Sequence, residues 1–290
     1  MRFALMIAGY KGVRFLENID KIPKFVVSYD NQEGNSDSLQ KIEEICKDKK
    51  IRFFKQKSLI DIEELANSVD KIFLIGWQFL VRTNYEKLIV FHDSYLPERR
   101  GFSPTVDALI NKSKYLGASA FTPFEGSTEP DYGDVYFRMK KDISYPISLE
   151  DSFNIVVDMY VGIFNKILNK NLKPKKIDYS GSTFSVWRDK EDMMIDWKDT
   201  SDNIYNKTLI LGYPYDGACA VYESQEIRIK ESEIVPDIEI TNRSENVGKI
   251  WKIDSGCPVV ICGSGLLKIN KAIKNNGDVI QFNNLRRRFK

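Results

Sequence analysis

KIFLIGWQFLVRTNYEKLIVFHDSYLPERRG, residues 71–101, contains two short apolar runs, KIFLIGW (71–77) and KLIVFHD (87–93). Each is too short for a typical helix, is rich in β-branched and aromatic residues, and stops at glycine or polar residues, so each reads as a strand. Neither alternates apolar with polar. A strand that is apolar along its length is covered on both faces, which is the habit of a parallel sheet between helices. The same pattern recurs upstream in FALMIAG (3–9), KFVVSYD (24–30) and IRFFK (51–55), with helical periodicity over Ser38–Lys47 and Asp61–Ser68. The fold class expected is therefore α/β, a Rossmann-like, doubly wound parallel sheet. Ligands of such sheets lie at the carboxyl ends of the strands. Chemistry is accordingly sought at Gly9–Gly12, Gly76–Gln78 and His92–Gly101.

Downstream the pattern changes. A long helix is expected at Leu149–Leu168, and the polar, basic NKNLKPKK (169–176) reads as a linker. Short β runs follow, among them ACAVYE, EIRIKESEIV, PVVICGSG and LLKINKAI, spaced as in a small barrel or sandwich. Two domains are expected: residues 1–190 with the parallel sheet and residues 195–290 as a smaller β-rich, OB-like barrel. The closing RRRFK reads as a solvated basic end.

Composition narrows the function. Basic and acidic residues number 43 and 41, a formal charge of +2, which argues against an extended nucleic-acid partner. No run approaches the ~18 apolar residues of a membrane span, and MRFALMIAGYKG lacks a signal-peptide cleavage pattern. The four cysteines are scattered and form no CxxC pair, as in a reduced cytoplasmic protein. With one histidine in the chain and no His/Cys cluster, no metal site is expected.

That single histidine, His92, ends a central strand and opens the polar loop FHDSYLPERRGFSP. A titratable group at this edge is a candidate general base or oxyanion stabiliser. Asp131, in GSTEPDYGDV (126–135), precedes a glycine turn and a new strand. Its carboxylate either orients the histidine or caps the turn. GYKG (9–12) lies where backbone N–H groups and Lys11 could meet a diphosphate, yet it lacks the GxGxxG pattern of dinucleotide enzymes.

Read together, these segments resemble the folate-dependent formyltransferases. FHDSYLPERRG looks like that family's H-x-S-L-L-P-x-x-R-G loop, and GSTEPDYGDV like its D-x-G-D-I segment. GVRFLENI and LIGWQFLV fit as well. WRDKEDMMIDWKDTSDNIYNKTLILGYPYDGACA (187–220) resembles the I-D-W…P-Y-P-G-A opening of the family's C-terminal domain. The resemblance implies formyl transfer from 10-formyltetrahydrofolate to an amine, with His92 and Asp131 flanking the reacting centre. It implies a pterin against Gly76, Trp77, Phe79 and Leu80. It also implies an acceptor near Tyr10, Lys11, Gly12, Arg99, Arg100 and Gly101. The chain departs from the family at Val90, where an asparagine usually holds the formyl oxygen. Losing one such donor typically costs about 10²–10³ in rate.

Three readings follow. The first is an N-formyltransferase of a nucleotide-linked amino sugar, such as a 4-amino-4,6-dideoxyhexose for lipopolysaccharide O-antigen. The second is a methionyl-tRNA formyltransferase, which NQEGNSDSLQKIEE (31–44) disfavours because it is acidic to neutral where a tRNA enzyme carries a basic insertion. The third is an inactive nucleotide-sugar-binding relative, suggested by Val90. The partner expected is a small molecule, with neither nucleic acid nor membrane, and a homodimer is left open.

Overall fold

Phe3–Ile7 (β1) is buried at every residue, as a strand covered on both faces must be. In the computed structural model, which describes residues 1–30, 37–56, 60–170 and 172–290, β1 lies inside a seven-stranded sheet. Its other members are β2 (Phe25–Tyr29), β3 (Arg52–Gln56), β4 (Lys71–Ile75), β5 (Leu88–His92), β6 (Tyr115–Pro123) and β7 (Gly133–Asp142). The order across the sheet is β7-β6-β5-β4-β1-β2-β3. Strands β1 to β5 are mutually parallel, whereas β6 is antiparallel to β5 and to β7. The sheet is thus mixed, which corrects the all-parallel expectation. The connection 124–132, which carries Asp131, is too short for a crossover, so β6 and β7 run antiparallel as neighbours.

Helices cover both faces. On one, Ala4, Met6, Phe25, Val27, Ile72 and Leu74 pack with Ala66 of α3 (Glu63–Asn67). On the other, rings from three strands and two helices interlock. Phe3, Phe73 and Phe91 come from strands, Phe15 from α1 (Gly9–Asn18), and Tyr160 and Phe164 from α5 (Leu149–Lys170). Phe164 stands edge-on to Phe73 at 4.9 Å and to Phe3 at 5.2 Å, and Tyr160 edge-on to Phe91 at 4.9 Å. Such pairs contribute about 0.5–1.5 kcal/mol each beyond area burial. Two further helices of this unit are α2 (Ser38–Asp48) and α4 (Pro104–Ile110).

GYKG is not a loop. The helix α1 begins directly at Gly9, and Gly12 is the first residue whose N–H bonds back into the turn, to the Ala8 carbonyl at 3.2 Å. A Cβ on Gly12 would stand 3.1 Å from the Ile7 Cβ, so this glycine serves the close packing of helix on strand.

The chain divides into two compact units, Met1–Ser144 with Asp151–Trp187, and Tyr145–Glu150 with Arg188–Lys290. The segment read as a linker in part returns to the first sheet. Lys175 exchanges backbone hydrogen bonds of 2.9 and 2.8 Å with Val135. Asn171 lies outside the described residues, as do 31–36 of the segment weighed as an insertion.

The second unit has a five-stranded antiparallel sheet: β8 (Ala218–Tyr222), β9 (Gln225–Val235), β10 (Ile250–Asp254), β11 (Cys257–Ile261) and β12 (Leu266–Lys274), ordered β8-β9-β12-β11-β10. A helix α6 (Ser201–Ile210) packs on it through buried Ile204. The RRRFK end is not a solvated tail. Lys290 exchanges two 2.9 Å backbone bonds with Val221 of β8, while Phe289 N–H donates to the Gly248 carbonyl at 2.8 Å and Ile250 N–H to the Arg287 carbonyl at 3.2 Å. The end of the chain therefore bonds to both edge strands. Phe289 is the reason: its ring is buried against Trp197 and Tyr222, and that burial holds the backbone around it.

Candidate active site

Strand register aligns three carboxyl ends. Ile7 pairs with Ile75 and Ile75 with Phe91, so Ala8, Gly76 and His92 are neighbours along one edge of the sheet. Neighbouring strands stand about 4.8 Å apart. The start of α1, the Gly76 turn and the His92 loop therefore share one locality.

His92 is buried at 6% exposure. Its Nε2 lies 2.9 Å from the Arg99 carbonyl. A carbonyl only accepts, so Nε2 carries the hydrogen and donates it. That assignment leaves Nδ1 as the nitrogen that can gain or lose a proton. Nδ1 faces Asp131 Oδ2 at 3.5 Å. The same carboxylate oxygen accepts the Gly101 N–H at 2.7 Å. Asp131 occupies the left-handed region at φ 47°, a conformation that costs a non-glycine residue about 1–3 kcal/mol and persists where surroundings impose it.

The loop carrying the Arg99 carbonyl and Gly101 N–H is held by residues distant in sequence. Arg100 N–H donates to Thr183 O at 2.9 Å and Phe102 N–H to Ser185 O at 3.0 Å. A Cβ on Gly101 would sit 2.5 Å from the Ser185 carbonyl, and its φ is 100°, so glycine is required there. Arg100, expected at an acceptor, is 2% exposed. Its guanidinium donates to Pro130 O (2.9 Å), Ser182 Oγ (3.2 Å) and Glu129 Oε2 (2.7 Å) and lies 5.0–5.2 Å from the ring centres of Tyr132, Tyr179 and Phe184. It anchors the loop. Arg99 is half-buried, with Nε 3.1 Å from Asp107 Oδ2.

Beside the histidine, Asp93 is buried and accepts from Lys11 Nζ, Tyr160 OH and Thr105 Oγ1, the last at 3.1 Å. Burial alone pushes this carboxyl up. The Lys11 ammonium, the hydrogen bonds from Lys11 and Tyr160, and the nearby imidazole outweigh burial and hold it below the ordinary carboxylate value. The same enclosure, with the Asp93 charge, pushes the Tyr160 hydroxyl well above its usual value. Lys11 is thus committed to Asp93 and lies 4.9 Å from the Phe153 ring centre, while Tyr10 OH donates to Asn154 Oδ1 at 2.9 Å. Asp93, Tyr160 and the Thr183–Ser185 clamp were not among the expected site residues. A buried polar trio drawn from three elements leaves no periodic mark on a sequence.

At the end of β4, Gly76 has φ 63°, and a Cβ there would meet the Ala8 carbonyl at 2.6 Å. The Trp77 and Phe79 rings lie 5.0 and 4.7 Å from Tyr29, with Phe79 and Leu80 exposed at 38% and 74%. Trp77 Nε1 is buried without a hydrogen-bond partner. A tight glycine turn and apolar surface left open suit a flat heteroaromatic ring.

The family model described as "Formyl transferase, C-terminal domain" matches residues 188–290. The chain is 27% identical over 188 residues to the methionyl-tRNA formyltransferase of Clostridium novyi, covering 63% of this chain and 58% of that one. Residues 188–290 thus match the formyl transferase C-terminal domain, and the chain upstream is similar to the folate-dependent formyltransferases. The chain spans about three-fifths of the length of the first curated formyltransferases it matches. Two solved structures share the formyltransferase fold. HypX from Aquifex aeolicus, solved with tetrahydrofolic acid, superposes with a TM-score of 0.62 at 14% identity, over 97% of this chain and 46% of that one. An N-formyltransferase from Helicobacter canadensis, solved with folinic acid and dTDP-3-aminofucose, gives 0.59 at 14% identity, over 93% and 98%. Among the described residues no helix is long and apolar enough to cross a membrane, and no group of three His, Cys, Asp or Glu could hold a metal ion.

Proposed function

We propose that this chain transfers the formyl group of 10-formyltetrahydrofolate to the amine of a nucleotide-linked amino sugar. The observation that carries the proposal is the His92–Asp131 couple at the carboxyl edge of β5, beside the Gly76–Leu80 turn. Gly76, Trp77, Phe79 and Leu80 would hold the pterin of the donor, which supplies an activated formyl carbon.

The residues then have these roles. An attacking amine must lose a proton, and the nitrogen that leaves the formyl carbon must gain one. His92 Nδ1 and Asp131 Oδ2 together accept one proton and return it. Arg99 fixes the imidazole through Nε2, so the exchange is confined to the nitrogen facing Asp131. Protonated, the imidazole also offers positive charge where negative charge develops on the formyl oxygen. Tyr10, Lys11, Arg99, Arg100 and Gly101 belong to the elements around the acceptor. Lys11 and Arg100 act there by holding α1 and the loop, since their own charges are engaged. The start of α1 faces this locality with a helix N-terminus, which favours a phosphate. Phe102, Phe184, Val186 and Trp187, each 57–63% exposed, offer apolar surface on the loop and its clamp for a base.

A sugar acceptor is favoured over tRNA by the near-balanced charge. It is further supported by the ligands of the Helicobacter canadensis N-formyltransferase, folinic acid and dTDP-3-aminofucose. A 4-amino-4,6-dideoxyhexose on the route to O-antigen, in the cytoplasm, is the specific form of the proposal, and the OB-like barrel is our reading of the second unit. Val90 favours a second reading, an inactive relative. It shares a strand face with His92 and packs against Leu96, Phe121 and Val135, presenting no donor. The test is a thermal-shift screen with dTDP-, UDP- and GDP-linked amino sugars, followed by turnover of the binders with 10-formyltetrahydrofolate. Turnover supports the first reading, binding without turnover the second, and formylation of initiator methionyl-tRNA alone overturns both.

A further inference from the structure

The basic end of the chain takes no part in the proposed reaction, yet it is fixed in place. Residues 287–290 are tied by backbone bonds to Val221, Gly248 and Ile250. In an extended segment alternate side chains face opposite ways, so with Phe289 directed into the core, Arg288 and Lys290 face outward together. Next to them β8 turns into β9 through two residues, Glu223 and Ser224, with Tyr222 paired to Gln225. Their φ angles are 50° and 62°. A two-residue hairpin with both angles positive favours Asn-Gly. Glu and Ser occupy these positions despite that strain.

Between turn and tail lies a cavity of about 400 Å³ lined by Val221, Glu223, Ser224, Arg287, Arg288 and Lys290. Three cations face one side-chain carboxylate. Glu223 Oε1 accepts from Arg287 Nε, and Arg288 donates to the Glu245 carbonyl, a neutral partner. Arg288 and Lys290 thus have no side-chain carboxylate partner among the lining residues. The volume lies within the range of small-molecule sites. No aromatic ring lines the cavity, so a ligand is gripped through its charge. A polynucleotide draws its affinity from more phosphate contacts than these few cations offer.

We infer that this cleft of the second unit is a binding site for a small phosphate-bearing molecule, held by Arg288, Lys290 and the Ser224 hydroxyl, with Glu223 tempering its affinity through Arg287. The inference stands on the second unit alone and does not depend on the formyl-transfer proposal.

Pyrophosphate is the probe, titrated calorimetrically into the full chain in low-salt chloride buffer. Saturable binding is expected. The variant Arg288→Gln/Lys290→Gln should weaken it at least about tenfold, as loss of two charged contacts implies. Glu223→Gln should strengthen it severalfold, because Arg287 is released. All three side chains are exposed, and near-UV circular dichroism verifies that the variants fold. Equal binding by wild type and double variant would place any pyrophosphate elsewhere and overturn the inference. So would absence of pyrophosphate binding in a chain that binds RNA through these residues.

Discussion

Replacing Arg100 by alanine should loosen the loop that holds both catalytic candidates. The guanidinium makes three hydrogen bonds and faces three aromatic rings at 2% exposure. Glu129 has a side chain 58% exposed, so its ion pair is screened and contributes at most about 1 kcal/mol. The Pro130 carbonyl loses its charged partner, worth about 1–3 kcal/mol. The three ring faces add about 1–2 kcal/mol together, since such contacts are not additive. The expected loss is about 3–5 kcal/mol for a buried charge with satisfied donors. For a unit of this size each kcal/mol moves the midpoint by roughly 2–4 °C, so Tm should fall by about 6–20 °C. Arg100→Lys keeps the charge but cannot reach three acceptors at once and should lose about half as much. Thermal unfolding followed by tryptophan fluorescence measures both. Well below the transition, turnover should also fall, because the Arg99 carbonyl and Gly101 N–H that position His92 and Asp131 flank the altered residue. A Tm within about 1 °C of wild type for the alanine variant would refute the assignment of Arg100 as the loop anchor.

Other outcomes follow from the same geometry. His92→Asn should lower kcat by about 10² or more with folding intact, read by steady-state turnover. Asp93, held below the ordinary carboxylate value, contributes stability that is present above the unfolded value of about 3.9 and is lost as pH falls through the folded one. Asp93→Asn should therefore lower stability at neutral pH and flatten its decline in acid, read by denaturant midpoints across pH. Val90→Asn should raise turnover if a donor to the formyl oxygen is the missing element, up to about 10²-fold, and a buried amide left unpaired would show instead as a lower Tm. Activity should survive chelation, since no metal-binding group occurs among the described residues. Loss on chelation with recovery on added zinc would contradict this.

Strands β1, β2, β4 and β5 were readable because a strand covered on both faces is largely apolar, and β1 is buried throughout, whereas the edge strand β3 showed itself only by its paired phenylalanines. Strand β10, with Trp251 and Lys252 exposed, lacked that mark and was missed. The direction of β6 and β7 depends on a turn whose reversal no propensity encodes. His92 and Asp131 were found through type and motif, and the structure brings them to 3.5 Å. The partners of Arg100 were not found, because Tyr179, Ser182 and Phe184 meet it only after the chain has run through α5 and returned. The RRRFK end misled by its charge: one phenylalanine among five residues decides its placement.

The most direct test of the central claim is mass spectrometry of the acceptor after incubation with 10-formyltetrahydrofolate and a panel of nucleotide-linked amino sugars. The account predicts that one acceptor gains a formyl group in a reaction that releases tetrahydrofolate, and that His92→Asn and Asp131→Asn lose this product together. No formylated sugar from a folded protein that binds folate would contradict it, as would a product formed equally well without His92.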